Sequence, residues 1–463
     1  MRELPEGWAV CKMPEAVFFQ EGPGLRKYQY TESGIPFLNI RTIFNGRIHI
    51  DLCQFLSKNE VDEKYQHFLL NAGDIICSTS GTLGKTAIVQ SQDLPLLLNT
   101  SVMRFRSLDE KTVIQGYIHL YLKSDLFLSQ AKKASTGSAQ VNVGPSHLKE
   151  FEFPLPPLNE QKRIADRLDQ LLTRIDKTKA HLDRIPPLLK RLRQSVLAAA
   201  TSGKLTADLC KSDEYEFQEH HVKEPYYHSV SAPAGWDYFD LGTVCEFVGG
   251  SQPPKSYFQP EFKPGLIRLI QIRDYKSDRF ETYIPVKLAR RFCTKDDVMI
   301  GRYGPPIFQI LRGLEGAYNV ALMKAVSRID NLDREYLYYW LQKDDLLKYV
   351  EGGSDRTVGQ DGVRKDLLHS YPFFLPSLPE QQEIVRRVEA LFAKADRIEA
   401  QYKNARQQVD RLTPALLAKA FRGELVPQDP NDEPASVLLE RVREARSIGQ
   451  IKTVQRTKKK IKF

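Results

Sequence analysis

Few side chains in this sequence stand where chemistry would need them. Residues 80–86, SGTLGKT, come nearest to a phosphate-binding loop. Such a loop requires glycine five positions ahead of Gly84, and Thr79 stands there. Without that glycine the backbone cannot wrap a phosphate, so a turn between two strands is expected, one able to approach DNA. The nine histidines include no H-E-x-x-H pair, and no G-x-S-x-G elbow occurs. The cysteines Cys11, Cys53, Cys77, Cys210, Cys245 and Cys293 are far apart, with no C-x-x-C spacing. Neither structural zinc nor a disulfide framework is expected, and a reducing cytoplasm fits. An amino-methyltransferase would need an acidic or amide residue followed by Pro-Pro and an aromatic. Glu224-Pro225-Tyr226-Tyr227 is one proline short. Nothing here activates a nucleophile, so no catalytic residue, metal or bound cofactor is expected.

Polar side chains at turn-like positions remain. Arg41 and Arg273 each follow a short apolar run, with Asn45, Arg47 and Lys276 shortly after. Thr79, Ser80 and Lys85 lie in the glycine-flanked turn, and Arg302 and Tyr303 stand at a comparable place later in the chain. Gln140 and Asn142, then Arg356 and Gln360, occupy glycine-flanked loops. Arginine suits guanine and Asn or Gln suits adenine, each in bidentate contact in the major groove. These fourteen residues are the candidates for DNA contact, with solvated surface as the competing reading for each taken singly.

The elements that would carry them form an internal repeat. Residues 153–161, FPLPPLNEQ, return at 373–381 as FFLPSLPEQ, an offset of 220 that holds without a gap to Gly203/Gly423 and Leu205/Leu425. Seventeen of the 51 positions in 155–205 are identical, where unrelated segments would share ~3 at average composition. Upstream the match is looser: Gly7-Trp8 with Gly235-Trp236, IPFLNIR with IRLIQIR, GDIICSTSG with DDVMIGRYG, and Asn99 with Asn319. The globular parts keep a pattern and lose their residues, as a shared scaffold with different recognition surfaces would.

Apolar residues in the repeated segments recur at alternating spacings of four and three. The first segment has Ile164, Leu168, Leu171, Ile175, Leu182, Leu189 and Leu192. The second has Ile384, Val388, Leu391, Ile398, Val409 and Leu412. A period of 3.5 predicts coiled-coil helices; surface helices lying on their own domains are the alternative. Pro186-Pro187 and Pro414 should kink or divide the helices. The globular parts read as mixed β, with strands at Ile35–Ile40, Asp74–Ser78, Ala87–Val89 and Val102–Phe105. Amphipathic helices are expected at 117–133 and 335–350. A polar, acidic linker is expected at 206–231, and a short helix (435–446) with a disordered basic end in the tail.

The chain has 463 residues, 41% hydrophobic and 27% charged, which excludes disorder throughout and leaves room for two to four domains. No run of 18 apolar residues occurs, so no transmembrane helix or membrane partner is expected, and MRELPEGW has no signal-peptide pattern. The net charge is +9. Residues 1–157 carry 16 basic and 16 acidic residues, and 232–377 carry 20 and 19. The helix at 158–205 carries 11 and 5, and the last sixteen residues six and none. Basic charge thus concentrates in the helices and tail, not the globular parts.

The LPPLNEQ and LPSLPEQ openings, the helices closing on SGKL and RGEL, the PEGW start and the duplicated layout together resemble the specificity subunits of type I restriction–modification systems, the HsdS family. The resemblance spans almost the whole chain. It implies two target recognition domains that each read half of a bipartite, asymmetric duplex site, and antiparallel helices that fix the gap between the halves. It also implies docking of two modification subunits that carry S-adenosylmethionine and methylate adenine. Two restriction subunits would add translocation and cleavage with ATP and Mg. The specificity subunit itself would hold no cofactor and do no catalysis. The expected fold is α+β: two mixed β-rich domains (1–157 and 232–377) joined by two long antiparallel helices (158–205 and 378–425) in a coiled coil, with a pseudo-two-fold repeat, a linker at 206–231 and a tail at 426–463. A coiled-coil adaptor, a stand-alone DNA-binding regulator and a stand-alone methyltransferase are the rivals.

Overall fold

A computed structural model describes residues 4–135, 142–209, 216–304, 306–357 and 360–444. They divide into two compact units, one drawn from Met1–Leu182 and Asn404–Phe463, the other being Asp183–Lys403. The first unit contains β1 (Ala9–Lys12), β2 (Val17–Glu21), β3 (Ile75–Ser78), β4 (Thr86–Ile88), β5 (Val102–Ser107), α1 (Gln115–Lys123), α2 (Asp125–Ala134), β6 (Glu152–Leu155) and α3 (Leu158–Leu182). Its main sheet runs β2-β5-β3-β4, antiparallel throughout, and β1 pairs with β6. The helix expected at 117–133 is broken by Ser124, whose hydroxyl donates to the Tyr121 carbonyl and accepts the Phe127 N–H as the cap of α2.

The second unit contains α4 (Ile185–Thr201), β7 (Phe217–Val222), β8 (His228–Pro233), β9 (Asp237–Asp240), β10 (Cys245–Gly249), β11 (Val298–Gly301), β12 (Gln309–Leu311), β13 (Leu322–Ser327), α5 (Arg334–Trp340), α6 (Asp344–Gly352) and β14 (Pro372–Leu375). From there α7 (Leu378–Ala420) begins. The sheet order is β10-β13-β11-β12, with β9 against β14, the same scheme strand for strand. The linker expected at 206–231 is not a plain connector. β7 and β8 pair there as a hairpin, and Val222, Val230 and Ala232 are buried in the unit's core. Acidic composition hid an alternation that puts one face of the hairpin on the apolar wall.

The repeated Glu-Gln at the head of each long helix explains the strongest match in the sequence. Gln161 is fully buried; its amide donates to the carbonyls of Thr112 and Pro156 and accepts from the Ile114 N–H. Gln381, equally buried, donates to the Asn331 and Pro376 carbonyls and accepts from the Asp333 N–H. One side chain thus satisfies three backbone groups that burial would otherwise leave unpaired. Beside it, Glu160 accepts from the Trp8 indole at 3.0 Å and from Gln428, while Glu380 accepts from the Trp236 indole at 3.2 Å and from Thr206.

Weaker repeats also mark backbone needs. Asp74 accepts the Asn71 N–H and pairs with Arg104 from β5 at 3.4 Å. Asp297 accepts the Thr294 N–H and pairs with Lys324 from β13 at 3.3 Å. Gly22 and Gly250 lie so close to Asn99 and Asn319 that an added Cβ would stand 2.3 and 2.0 Å from their backbone atoms.

The Pro186-Pro187 pair divides the first helical segment between Leu182 and Ile185, as expected, but Pro414 leaves α7 unbroken. The apolar stripe is used unevenly. Ile164 and Leu168 sink into the first core with Tyr117, Tyr121 and Phe153, joined by Leu417 and Phe421. Ile384 and Val388 do the same in the second core with Trp340 and Phe373, joined by Val196 and Leu197. Ile175 and Leu189 are buried, and Leu171, Leu182, Leu391 and Val409 are half-buried. Leu192, Ile398 and Leu412 are 41, 43 and 46% exposed. A stripe of period 3.5 drifts around a helix of 3.6 residues per turn, and its opening turns are spent on the globular cores. Ion pairs set the helices side by side within each unit. Lys179 meets Asp410 at 3.1 Å in the first; in the second, Arg193 meets Asp396 and Glu399 at 2.8 and 3.0 Å.

Replacing Gln381 by methionine, similar in size but unable to bond, should destabilise the second unit by about 3 kcal/mol, since each orphaned buried polar group costs about 1–3 kcal/mol. The same change at exposed Gln382 should cost under about 0.5 kcal/mol. Denaturant unfolding followed by hydrogen exchange within residues 232–377 measures both.

Candidate nucleic-acid interface

In the first unit, Arg41 sits in a tight turn, Ile40–Thr42, and the chain then folds into a hairpin of Ile43–Phe44 with Arg47–Ile48. Asn45 (φ +50°) and Gly46 (φ +70°) form its two-residue tip, the left-handed geometry that Asn-Gly favours. Arg41, Asn45 and Arg47 are all exposed. The 79–85 loop lies against this turn. The Lys85 ammonium donates to the Ile40 carbonyl at 3.5 Å, and a Cβ on Gly81 would touch the Ile40 side chain. Two N–H groups at the end of the loop are used internally: Gly84 donates to the Ser78 carbonyl and Lys85 to the Ser78 hydroxyl. They are not free to cradle a phosphate. A cleft of about 810 Å³ gathers Phe44, Asn45, Arg47, His49, Lys85 and Lys123, with Asp176 of α3 on its far wall. Burial pulls the Lys123 amine down from its ordinary range, against the attraction of Asp176 and Asp169.

Thr79 does not belong to this surface. It is 1% exposed, its N–H donates to the Ser101 carbonyl, and its own carbonyl accepts from Val143 at 2.9 Å. A side chain walled in by that backbone cannot reach a duplex. Ser80 is half-buried and bridges Asn142, so those two candidates do meet. Gln140 lies outside the described residues.

Arg302 takes the place of Thr79 in the second unit. Its N–H donates to the Ala321 carbonyl and its carbonyl accepts from Val363 at 3.0 Å, the same two bonds. Its side chain, however, is half-buried, with the guanidinium 5.2 Å from the centre of the Tyr303 ring. Arg302 and Lys365 converge near Gly249, whose added Cβ would stand about 4 Å from both cationic ends. Tyr303 bridges Gly362, the end of a two-stranded ribbon, Asp355–Thr357 with Gln360–Gly362, on which Arg356 and Gln360 stand. Arg273 lies in the turn Ile272–Tyr275, and Ile272 packs on Gly301 as Ile40 approaches Gly81. Arg273 and Lys276 are exposed. Each unit therefore gathers an arginine turn, a strand-end loop and the segment before the last strand. Sequence spacing missed Phe44, His49 and Lys123 in the first unit and Arg279, Phe280 and Lys365 in the second. Only the Asn-Gly tip hinted at the first group.

Among the described residues no group of three His, Cys, Asp or Glu could hold a metal ion, and no helix is long and apolar enough to cross a membrane. Five described cysteines are free and buried; burial pushes the Cys77 and Cys245 thiols up to about 12, which suits inert core residues.

The fold and its paired polar loops define a two-domain recognition scaffold. The sequence profile of the type I restriction modification DNA specificity domain matches residues 5–186 and 233–406. The chain is 30% identical to the EcoKI specificity subunit of Escherichia coli (strain K12), across 98% of this chain and 99% of the relative. It is 29% identical to the StySPI specificity subunit of Salmonella potsdam over the same shares, and 31% to the Escherichia coli EcoBI specificity subunit over 98% and 96%. Among solved structures, the HsdS subunit from Thermoanaerobacter tengcongensis has the same fold, with a TM-score of 0.54 at 22% identity over 91% of this chain and 98% of that one. A chain from a structure describing assembly of the type I R-M system scores 0.70 at 20% identity, over 92% and 100%. The protein belongs to the type I restriction–modification specificity-subunit family.

His119 backs the first cleft through its Nε2, 3.1 Å from the Thr86 hydroxyl. Burial, aided by Lys123, lowers it from 6.5 to about 3, so the folded state holds it neutral. The unfolded chain takes up that proton below about pH 6.5, so stability must fall as pH drops from there towards 3. A His119→Gln variant should show a flatter decline in thermal midpoint between pH 7 and 5 than the parent.

Proposed function

We propose that this chain is the DNA-reading subunit of a type I restriction–modification complex, each globular domain reading one half of a bipartite asymmetric site. One observation carries this: the same backbone bonds hold the same loops in both units, while the side chains differ. Thr79 and Arg302 make identical main-chain bonds, yet one is buried and the other offers a guanidinium. Such a scaffold supports two unlike surfaces at no cost to its fold. Arg41, Asn45, Arg47, Ser80, Lys85, Asn142, Arg273, Lys276, Arg302 and Tyr303 are the contacts we assign to DNA.

The long helices act as a coiled-coil ruler with pseudo-two-fold character that sets the gap between half-sites. Their exposed Leu188, Leu192, Ile398 and Leu412 suit docking of two modification subunits. Those subunits would bring S-adenosylmethionine and adenine methylation, and two restriction subunits would bring ATP and Mg. The chain itself supplies recognition rather than chemistry, in the cytoplasm. Because both globular parts are near neutral, the isolated chain neutralises few phosphates.

Mapping methylated adenines in the host genome with and without this gene should reveal one bipartite motif that vanishes on deletion. Exchanging residues 1–157 with those of a relative should change one half of that motif only. A genome with no gene-dependent motif overturns the assignment. In the assembled complex, Arg47→Ala should weaken binding to target and non-target duplexes alike and lower the salt slope by about one. Titrations at several salt concentrations measure that slope.

A further inference from the structure

Each unit holds a phenyl ring in water at the loop that follows its arginine turn. Phe44 is 57% exposed and Phe280 56% exposed. The rings do not share a sequence position; they share a place in the fold, after Ile40–Thr42 in one unit and after Ile272–Tyr275 in the other. A ring left in water forfeits much of the free energy that burial would supply. Neither ring belongs to an apolar core cluster. Both stand among cations instead. Phe44 shares its cleft with Arg47 and Lys85. The Phe280 ring centre lies 5.7 Å from the guanidiniums of both Arg273 and Arg279, in a cleft of about 450 Å³. The carboxylates near Phe280 are engaged, Asp278 and Glu281 by Arg268 at 3.1 and 2.9 Å, and Asp176 lines the first cleft together with Lys123. Tyr28 and Phe262 are also exposed, but neither lines these clefts.

A flat apolar ring framed by cations suits a base step of a duplex, which offers π-faces inside a border of phosphates. We propose that Phe44 and Phe280 are aromatic wedges that stack on a base in each half-site, their basic neighbours holding the flanking phosphates. This rests on the DNA-reading assignment above. A wedge makes the sequence at its step count through ease of unstacking, without a hydrogen bond to any base edge. It adds a source of specificity that the polar side chains do not supply.

The test uses the full chain assembled with its modification subunits. The probe is a duplex carrying the mapped bipartite motif, with 2-aminopurine placed at successive positions. The parent complex should raise emission at one step in each half. Phe44→Ala should abolish the rise in one half only, Phe280→Ala in the other, each with about tenfold weaker binding, within the range of one lost base–aromatic stack. Phe44→Trp should keep both the emission and the affinity. Alanine variants that bind as tightly as the parent, with the emission rise intact, overturn the wedges while leaving the DNA-reading assignment standing. A parent complex that binds motif and scrambled duplex equally overturns that assignment and the wedges together.

Discussion

A buried glutamine at the head of each long helix is the point on which both units turn. Gln161 and Gln381 each bond three backbone groups, two from the segment entering the preceding helical pair and one from the proline turn into the long helix. The adjacent glutamate ties down a tryptophan from the start of the same domain. Domain entrance, domain exit and helix thus share one hydrogen-bonded node. Leaving such a node half-satisfied would be costly in a low-dielectric interior, so its residues persist where most others in the repeat have changed.

The scaffold around this node is held mainly by backbone bonds, which frees the side chains at the loops. β3 and β11 end in loops fastened by the same N–H and carbonyl partners. A buried threonine in one and a half-buried arginine in the other leave those bonds intact. The aspartates that open these strands are paired to whichever cation the neighbouring strand offers, Arg104 or Lys324. A recognition protein gains from this separation, because its surface can diverge without loss of its core.

The long helices have a double duty. Their first turns complete the globular cores through Ile164, Leu168, Ile384 and Val388, and only later turns are free to pair. The division of the chain follows from it: the last part of α7 packs with the first unit through Leu417, Phe421 just beyond the helix does the same, and the tail continues there, with the Ala435 N–H donating to the Gly7 carbonyl. Cations on α3 and α4 meet acids on α7 in both units, which turns the basic excess of the first helical segment into pairing within the chain.

By itself the sequence determined the duplication, the break at Pro186-Pro187, the pairing of Arg41 with Arg273, and the family, because these rest on local backbone demands that leave identities at fixed spacing. The Glu-Gln repeat was visible as a pattern, though not as a three-bond node, since its partners lie far along the chain. Only the tertiary structure decided which loop side chains face water. Thr79 is buried because Val143 and Ser101 close over it, and no spacing near Thr79 records that. The hairpin inside the supposed linker, the exposure of Leu192, Ile398 and Leu412, and the clefts around Phe44 and Phe280 were likewise settled by packing between distant segments. Burial is a property of neighbours, and neighbours are chosen by the fold.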